Sequence, residues 1–259
     1  MTFPDISPVA LQIGPLTIRW YALAYVVGIL LGQWIVLRLN KRLTPPLLSE
    51  KACEDLILYA VLGIILGGRI GYVLFYNASY YFEHPADIAA IWHGGMSFHG
   101  GLLGVLIAFW VFARRYQISW LRLMDLLAVA APIGLLFGRL ANFVNGELYG
   151  RVTDVPWAMV FPRGGALPRH PSQLYEAGLE GAVLFVVMLV LATRTKALQK
   201  TGVLGGVFIA GYGISRFMIE FFREPDVQVG TFAYGLSMGQ LLCIPMVLVG
   251  TWLVKRGLR

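Results

Sequence analysis

Three sets of side chains in this 259-residue sequence have types and spacing suited to chemistry. The first is arginine set among apolar residues: Arg69, Arg139 and Arg216. A guanidinium is a planar fork that meets phosphate or carboxylate at two points, which an ammonium does not do. The second is His99, flanked by Gly94, Gly95, Gly100, Gly101 and Gly104. Imidazole moves protons near neutral pH, and the glycines allow a backbone or ligand to approach closely. The third is Glu147 with Asn142 and Asn145, a carboxylate and two amides that could fix hydroxyl groups or accept a proton. Helical spacing groups more of them. Tyr212, Arg216 and Glu220 are four apart and share one helix face, as do Glu176 and Glu180. The alternative reading of Arg216 and Glu220 is an ion pair that holds helices together.

The elements that must position these groups are membrane helices. The chain is 58% hydrophobic and 14% charged, with a mean hydropathy of +0.69. Soluble domains carry roughly 25% charged residues. A span needs about 20 mainly apolar residues. Seven such stretches occur, near 16–37, 53–76, 96–113, 121–141, 174–193, 203–222 and 236–254. The expected fold is an all-α integral membrane protein, a bundle of seven transmembrane helices forming one domain over 1–259. The opening residues lack a basic stretch and contain Asp5, so they read as a translocated lead-in and not as a cleavable signal peptide.

Charge fixes the orientation. Arg38, Lys41, Arg42, Lys51, Arg114, Arg115, Arg122, Arg194, Lys196, Lys200, Lys255, Arg256 and Arg259 all fall on one side. Those thirteen of the 21 basic residues put that side in the cytoplasm. The N-terminus is then outside and the C-terminus inside, in a cytoplasmic membrane. The net charge of +7 is a topology signal and implies no nucleic-acid partner. The eight remaining basic residues are all arginine, which suggests anion recognition on the outer side. Residues about 142–173, with four prolines and several glycines, form a long outer loop expected to act as a cap or lid. The outer loops around Tyr80–Trp92 and Arg223–Tyr234 are rich in aromatic residues.

With this topology the polar residues gather at one depth. Tyr21, Arg69, His99, Arg139, Asn142, Gln173, Tyr175, Glu176, Glu180, Tyr212, Arg216, Glu220 and Gln240 all lie in the outer halves of the spans. A charged group at the centre of a span costs about 2.5–3.5 kcal/mol. That cost makes a functional polar cavity the default reading. Cys53 and Cys243 lie in or beside apolar runs, without a C-x-x-C or H-E-x-x-H pattern, and read as packing residues with no metal site.

Several stretches resemble the prolipoprotein diacylglyceryl transferase family. They are His93-Gly94-Gly95-Met96-Ser97-Phe98-His99-Gly100-Gly101, Gly138-Arg139-Leu140-Ala141-Asn142-Phe143-Val144-Asn145-Gly146-Glu147 with Gly150, and Arg169-His170-Pro171-Ser172-Gln173-Leu174-Tyr175-Glu176. Trp20-Tyr21, Gly67-Gly68-Arg69-Ile70-Gly71-Tyr72 and Arg216 through Glu220 to Arg223 also fit. The resemblance implies transfer of the diacylglyceryl group of phosphatidylglycerol to the lipobox cysteine thiol of a preprolipoprotein. It implies a thioether product, release of glycerol phosphate, and no cofactor. It assigns catalysis to His99, Arg139 and Glu147, with His99 and Glu147 rival candidates for the base. Substrate binding falls to Tyr21, Arg69, Arg139, Asn142, Asn145, Gly150, Tyr212, Arg216 and Glu220. A lipid or anion transporter in the outer leaflet is the competing reading.

Overall fold

A computed structural model describes residues 1–4, 6–14, 16–224 and 236–259. Asp5 and the aromatic-rich loop toward Tyr234 lie outside the described residues. The chain begins with an antiparallel hairpin, β1 (Val9–Ile13) and β2 (Leu16–Arg19). The helices follow: α1 (Trp20–Asn40), α2 (Glu50–Tyr76), α3 (Ala78–Glu83), α4 (Phe98–Arg115), α5 (Trp120–Val144), α6 (Ser172–Glu176), α7 (Leu184–Arg194), α8 (Val203–Ile219) and α9 (Met238–Leu258). A π-helical segment, Ala177–Val183, joins α6 to α7, so Ser172–Arg194 runs as one apolar rod.

Among the described residues, six helices are long and apolar enough to cross a membrane, and α8 is a shorter apolar helix. The chain is thus an all-α multi-pass membrane protein with one small hairpin. Its outward faces are apolar. On α2, Leu58, Leu62, Leu66, Ile70 and Leu74 recur every four residues and are all exposed, the stripe a lipid-facing helix presents. The first span starts later than its hydropathy suggests. β-Branched Thr17 and Ile18 join the hairpin, and the helix begins only at Trp20.

The chain divides into two compact units, Met1–Leu43 with Met124–Arg259, and Thr44–Leu123. Close backbone approach builds each of them. In the smaller unit α2 packs on α4 through Gly63, Gly67 and Gly71 against Gly100 and Gly104. A Cβ on Gly67 would collide with the Gly100 carbonyl oxygen, and one on Gly104 with that of Gly63. Small residues four apart are how membrane helices reach van der Waals contact, because lipid supplies no hydrophobic drive between them. Ser97 caps α4 by accepting the Gly100 amide at 3.1 Å. In the larger unit α8 and α9 cross the same way. A Cβ on Gly206 would stand 2.7 Å from the Gly250 carbonyl oxygen.

The amino end of α8 is fixed from α5. Buried Asp125 accepts the Gly202 amide at 2.6 Å and the Gly205 amide at 2.7 Å. A carboxylate there satisfies orphan helix donors and complements the helix dipole.

Candidate functional site

The centre of the larger unit is a buried carboxylate. Glu176, the last residue of α6, has no solvent exposure. Arg216 reaches its Oε1 at 2.6 Å and Arg223 reaches the same oxygen at 2.6 Å. Arg139 Nε lies 3.2 Å from its Oε2. Three guanidinium groups from three chain segments therefore share one acid. Two more acids extend the network. Glu180, also without exposure, lies 3.5 Å from Arg139 Nη2. Glu220 pairs with Arg216 Nη2 at 2.9 Å and with Arg223 Nε at 3.5 Å.

Geometry explains why these residues meet. Arg216, Glu220 and Arg223 follow one another at i, i+4 and i+7, along the end of α8 and the turn after it. Glu176 and Glu180 bracket the start of the π segment, a local widening often found at functional sites. Gly181 lets that segment lie against α5, since a Cβ there would come within 2.7 Å of the Leu136 Cβ. Isolated buried charges are costly, and pairing removes most of the cost only when geometry is close. Arg139 and Arg216 keep 18% and 16% of their side-chain surface open. Each guanidinium has five N–H donors, so donors remain for a ligand.

The turn after α5 builds a second polar patch. Gly146 turns the chain at φ +63°. Glu147 then folds back so that Oε1 accepts from Asn142 Nδ2 at 2.8 Å and from Asn145 Nδ2 at 3.2 Å. Buried Gln173 donates to the Glu147 backbone carbonyl at 2.5 Å, tying this patch to α6. The three residues grouped from sequence as headgroup ligands are thus one hydrogen-bonded unit. Tyr21 lies in the first turn of α1, its hydroxyl 3.3 Å from that of Tyr25. Tyr212 is one turn before Arg216 on α8, against Phe208.

Gly150 sits where three backbone segments cross. Its amide donates to the His170 carbonyl at 2.8 Å, its own carbonyl accepts from Arg169 Nη1 at 3.2 Å, and the Arg151 amide donates to the Phe222 carbonyl at 2.9 Å. A Cβ there would strike the Phe222 carbonyl oxygen. In this structure its contacts are with the backbone at His170 and Phe222 and with the Arg169 side chain. They bear on Arg223, whose carbonyl accepts Arg151 Nε at 2.8 Å. The long 142–173 segment is accordingly well tied, with further bridges from Val152 and Met159 to Arg169. His170, partly buried against Phe222 and Tyr175, has its pKa lowered by desolvation, and its Nδ1 lies 3.1 Å from the Tyr175 hydroxyl.

In the smaller unit Arg69 is buried and bound to its own loop. Its donors reach the carbonyls of Asp87 (2.6 Å), Ile88 (2.8 Å), Gly94 (2.6 Å) and Gly95 (3.1 Å), and its guanidinium covers the Tyr81 ring. It braces the loop that leads into α4. His99 lies in the first turn of α4, exposed, with its ring edge-on to Phe98. Cys53 is half-buried in α2 and Cys243 is buried in α9.

Sequence reasoning placed Glu176 and Glu180 at the polar level but gave neither them nor Arg223 a catalytic or binding role, although Glu176 is the hub of the network. The i, i+4, i+7 spacing from Arg216 to Arg223 was the available signal. Glu176→Gln should leave three guanidinium groups short of counter-charge. Breaking a buried pair costs about 3–5 kcal/mol. Thermal unfolding in detergent should fall by about 10 °C, and an unchanged transition would show that Glu176 does not hold the arginines.

The family model described as prolipoprotein diacylglyceryl transferase matches residues 8–256. Relatives that carry the name phosphatidylglycerol–prolipoprotein diacylglyceryl transferase match along nearly the whole chain, among them three from Rhodospirillum and Azospirillum. The one from Rhodospirillum rubrum is 56% identical over 251 residues, covering 96% of this chain and 92% of its own length. That from Rhodospirillum centenum is 54% identical over 261 residues, covering 98% and 92%. That from Azospirillum brasilense is 55% identical over 261 residues, covering 100% and 97%.

Proposed function

The chain belongs to the prolipoprotein diacylglyceryl transferase family, and from that premise we propose that it moves the diacylglyceryl group of phosphatidylglycerol onto the lipobox cysteine of a preprolipoprotein. The observation that carries the mechanism is the pair of part-exposed guanidinium groups, Arg139 and Arg216, braced by one buried glutamate. The cysteine thiolate attacks the glyceryl carbon that bears the phosphodiester oxygen. A carbon–sulfur bond forms, the carbon–oxygen bond breaks, and glycerol phosphate leaves with that oxygen. The phosphodiester carries one negative charge and the departing monoester gains another. Forked donors aimed at that growing charge stabilise the transition state more than the ground state.

The Asn142–Asn145–Glu147 unit presents amides and a carboxylate suited to the glycerol hydroxyls of the headgroup. Tyr21, Arg69, Tyr212 and Gly150 complete the substrate-binding assignment, and Glu220 orients Arg216. The thiol, with a free pKa of about 8.5, must lose its proton first. His99 and Glu147 are the two groups for that step. The nucleophile belongs to the substrate, so neither Cys53 nor Cys243 takes part.

The same reading sets the chain in a bacterial cytoplasmic membrane as one transmembrane domain with seven spans. Its N-terminus is outside, its C-terminus is cytoplasmic, and residues 142–173 form an outer cap. The distribution of Lys and Arg supports this orientation. A reporter fused after Pro162 should signal outside and one after Lys200 cytoplasm; a cytoplasmic signal at Pro162 contradicts the topology.

The purified protein with phosphatidylglycerol and a lipobox peptide should yield a peptide heavier by one diacylglyceryl group. A lipid transporter would move the lipid without changing the peptide. In that assay His99→Gln should lower turnover by roughly 10²–10⁴-fold and recover part of it at higher pH, where the thiol ionises unaided. If Glu147→Gln shows that behaviour and His99→Gln does not, the base is Glu147.

A further inference from the structure

The amino end of α9 makes a contact with the arginine network that the assignments above leave unused. Glu220 caps α8 and is buried. Its Oε2 pairs with Arg216 Nη2 at 2.9 Å. Its Oε1 accepts the Ser237 hydroxyl proton at 2.9 Å. Ser237 is also the N-cap of α9. Its Oγ accepts the Gln240 amide at 3.2 Å, while Gln240 Oε1 accepts the Ser237 amide at 3.0 Å. This reciprocal cap occupies a lone pair of the hydroxyl and leaves its single proton for Glu220. The space beside the carboxylate is equally specific. A Cβ on Gly239 would stand 2.9 Å from the Glu220 carboxyl carbon and from Oε1. The carboxylate thus rests on the positive end of α9, with one oxygen on Ser237 and the other on Arg216.

We propose that Ser237 is a positioning residue for the transfer reaction: it pins the Glu220 carboxylate against α9, and through it holds the Arg216 fork in the orientation that receives a lipid phosphate. Arg216 is then braced from two sides, by Glu176 on Nη1 and by Glu220 on Nη2. Without the hydroxyl, Glu220 is free to turn within its contacts, and the fork loses one of its two supports. The proposal rests on the reading of Arg216 as a phosphate ligand.

Ser237 also caps a helix, so the test must separate the two roles. Glycine is nearly as good an N-cap as serine, whereas alanine is poor. A pure capping role predicts that Ser237→Gly is close to wild type and Ser237→Ala is worse, with thermal stability following activity. The positioning role predicts that both lose the hydroxyl equally. Each should lower kcat with phosphatidylglycerol and a lipobox peptide by roughly ten-fold, as expected for loss of a hydrogen bond to a charged group. Ser237→Thr, which keeps the donor, should restore most of the rate.

A double-mutant cycle reads the coupling directly. Glu220→Gln with Ser237→Gly should be no slower than Glu220→Gln alone, because the serine acts only through the carboxylate. Independent, multiplying losses would overturn the proposal, as would full kcat in Ser237→Gly. Wild-type protein inactive in the same assay would instead overturn the transfer reading itself, so the two failures are distinguishable.

Discussion

The site depends on one buried anion. Glu176 has no exposed surface, yet three arginines converge on it from α5, α8 and the turn after α8. Three cations crowded together in a low-dielectric bundle repel strongly. A shared carboxylate turns that repulsion into a bound cluster, and Glu180 and Glu220 extend the neutralisation. The arrangement keeps forked donors beside one another and partly open, which free arginine side chains on separate helices would not do.

The rest of the larger unit keeps that cluster in place. Asp125 fixes the start of α8, and glycine contacts set its crossing with α9. The backbone crossing at Gly150 ties the 142–173 segment to Phe222 and Arg223. The π segment carries Glu180 beside Glu176 at the price of regular helix geometry. A phosphate ligand with its charge growing during reaction needs donors that are already oriented, since reorganisation at that moment would raise the barrier. In the proposed reaction the packing described here supplies that orientation.

Much of the architecture could be read from sequence, for a physical reason. Lipid tolerates no unsatisfied backbone groups, so each long apolar stretch must be a helix, and α1, α2, α4, α5, α9 and Ser172–Arg194 all lie where hydropathy puts them. The charged residues inside those stretches were equally visible, because each is costly there. What stayed hidden was pairing across the chain. Arg69 looks like Arg139 in sequence, each inside a Gly-Arg motif, yet Arg69 is bound by loop carbonyls and Arg139 by glutamates. Gly150 reads as part of a binding motif, but its local requirement is room for the Phe222 carbonyl. Residues 16–19 are apolar enough for a span and instead pair in a hairpin. Partners of this kind depend on tertiary contacts that neither hydropathy nor spacing encodes.

The central claim is that Arg139 and Arg216 act as phosphate forks. Charge-preserving substitution separates this from simple helix pairing, because lysine keeps the charge and loses the two-point geometry. The measurement is turnover with phosphatidylglycerol and a lipobox peptide for Arg139→Lys and Arg216→Lys, with thermal unfolding recorded for each. The account predicts turnover reduced by roughly 10²-fold or more in both, the scale seen when one oriented donor to a developing oxyanion is lost, with unfolding close to wild type. Near-normal turnover in both variants would contradict it, whatever their stability.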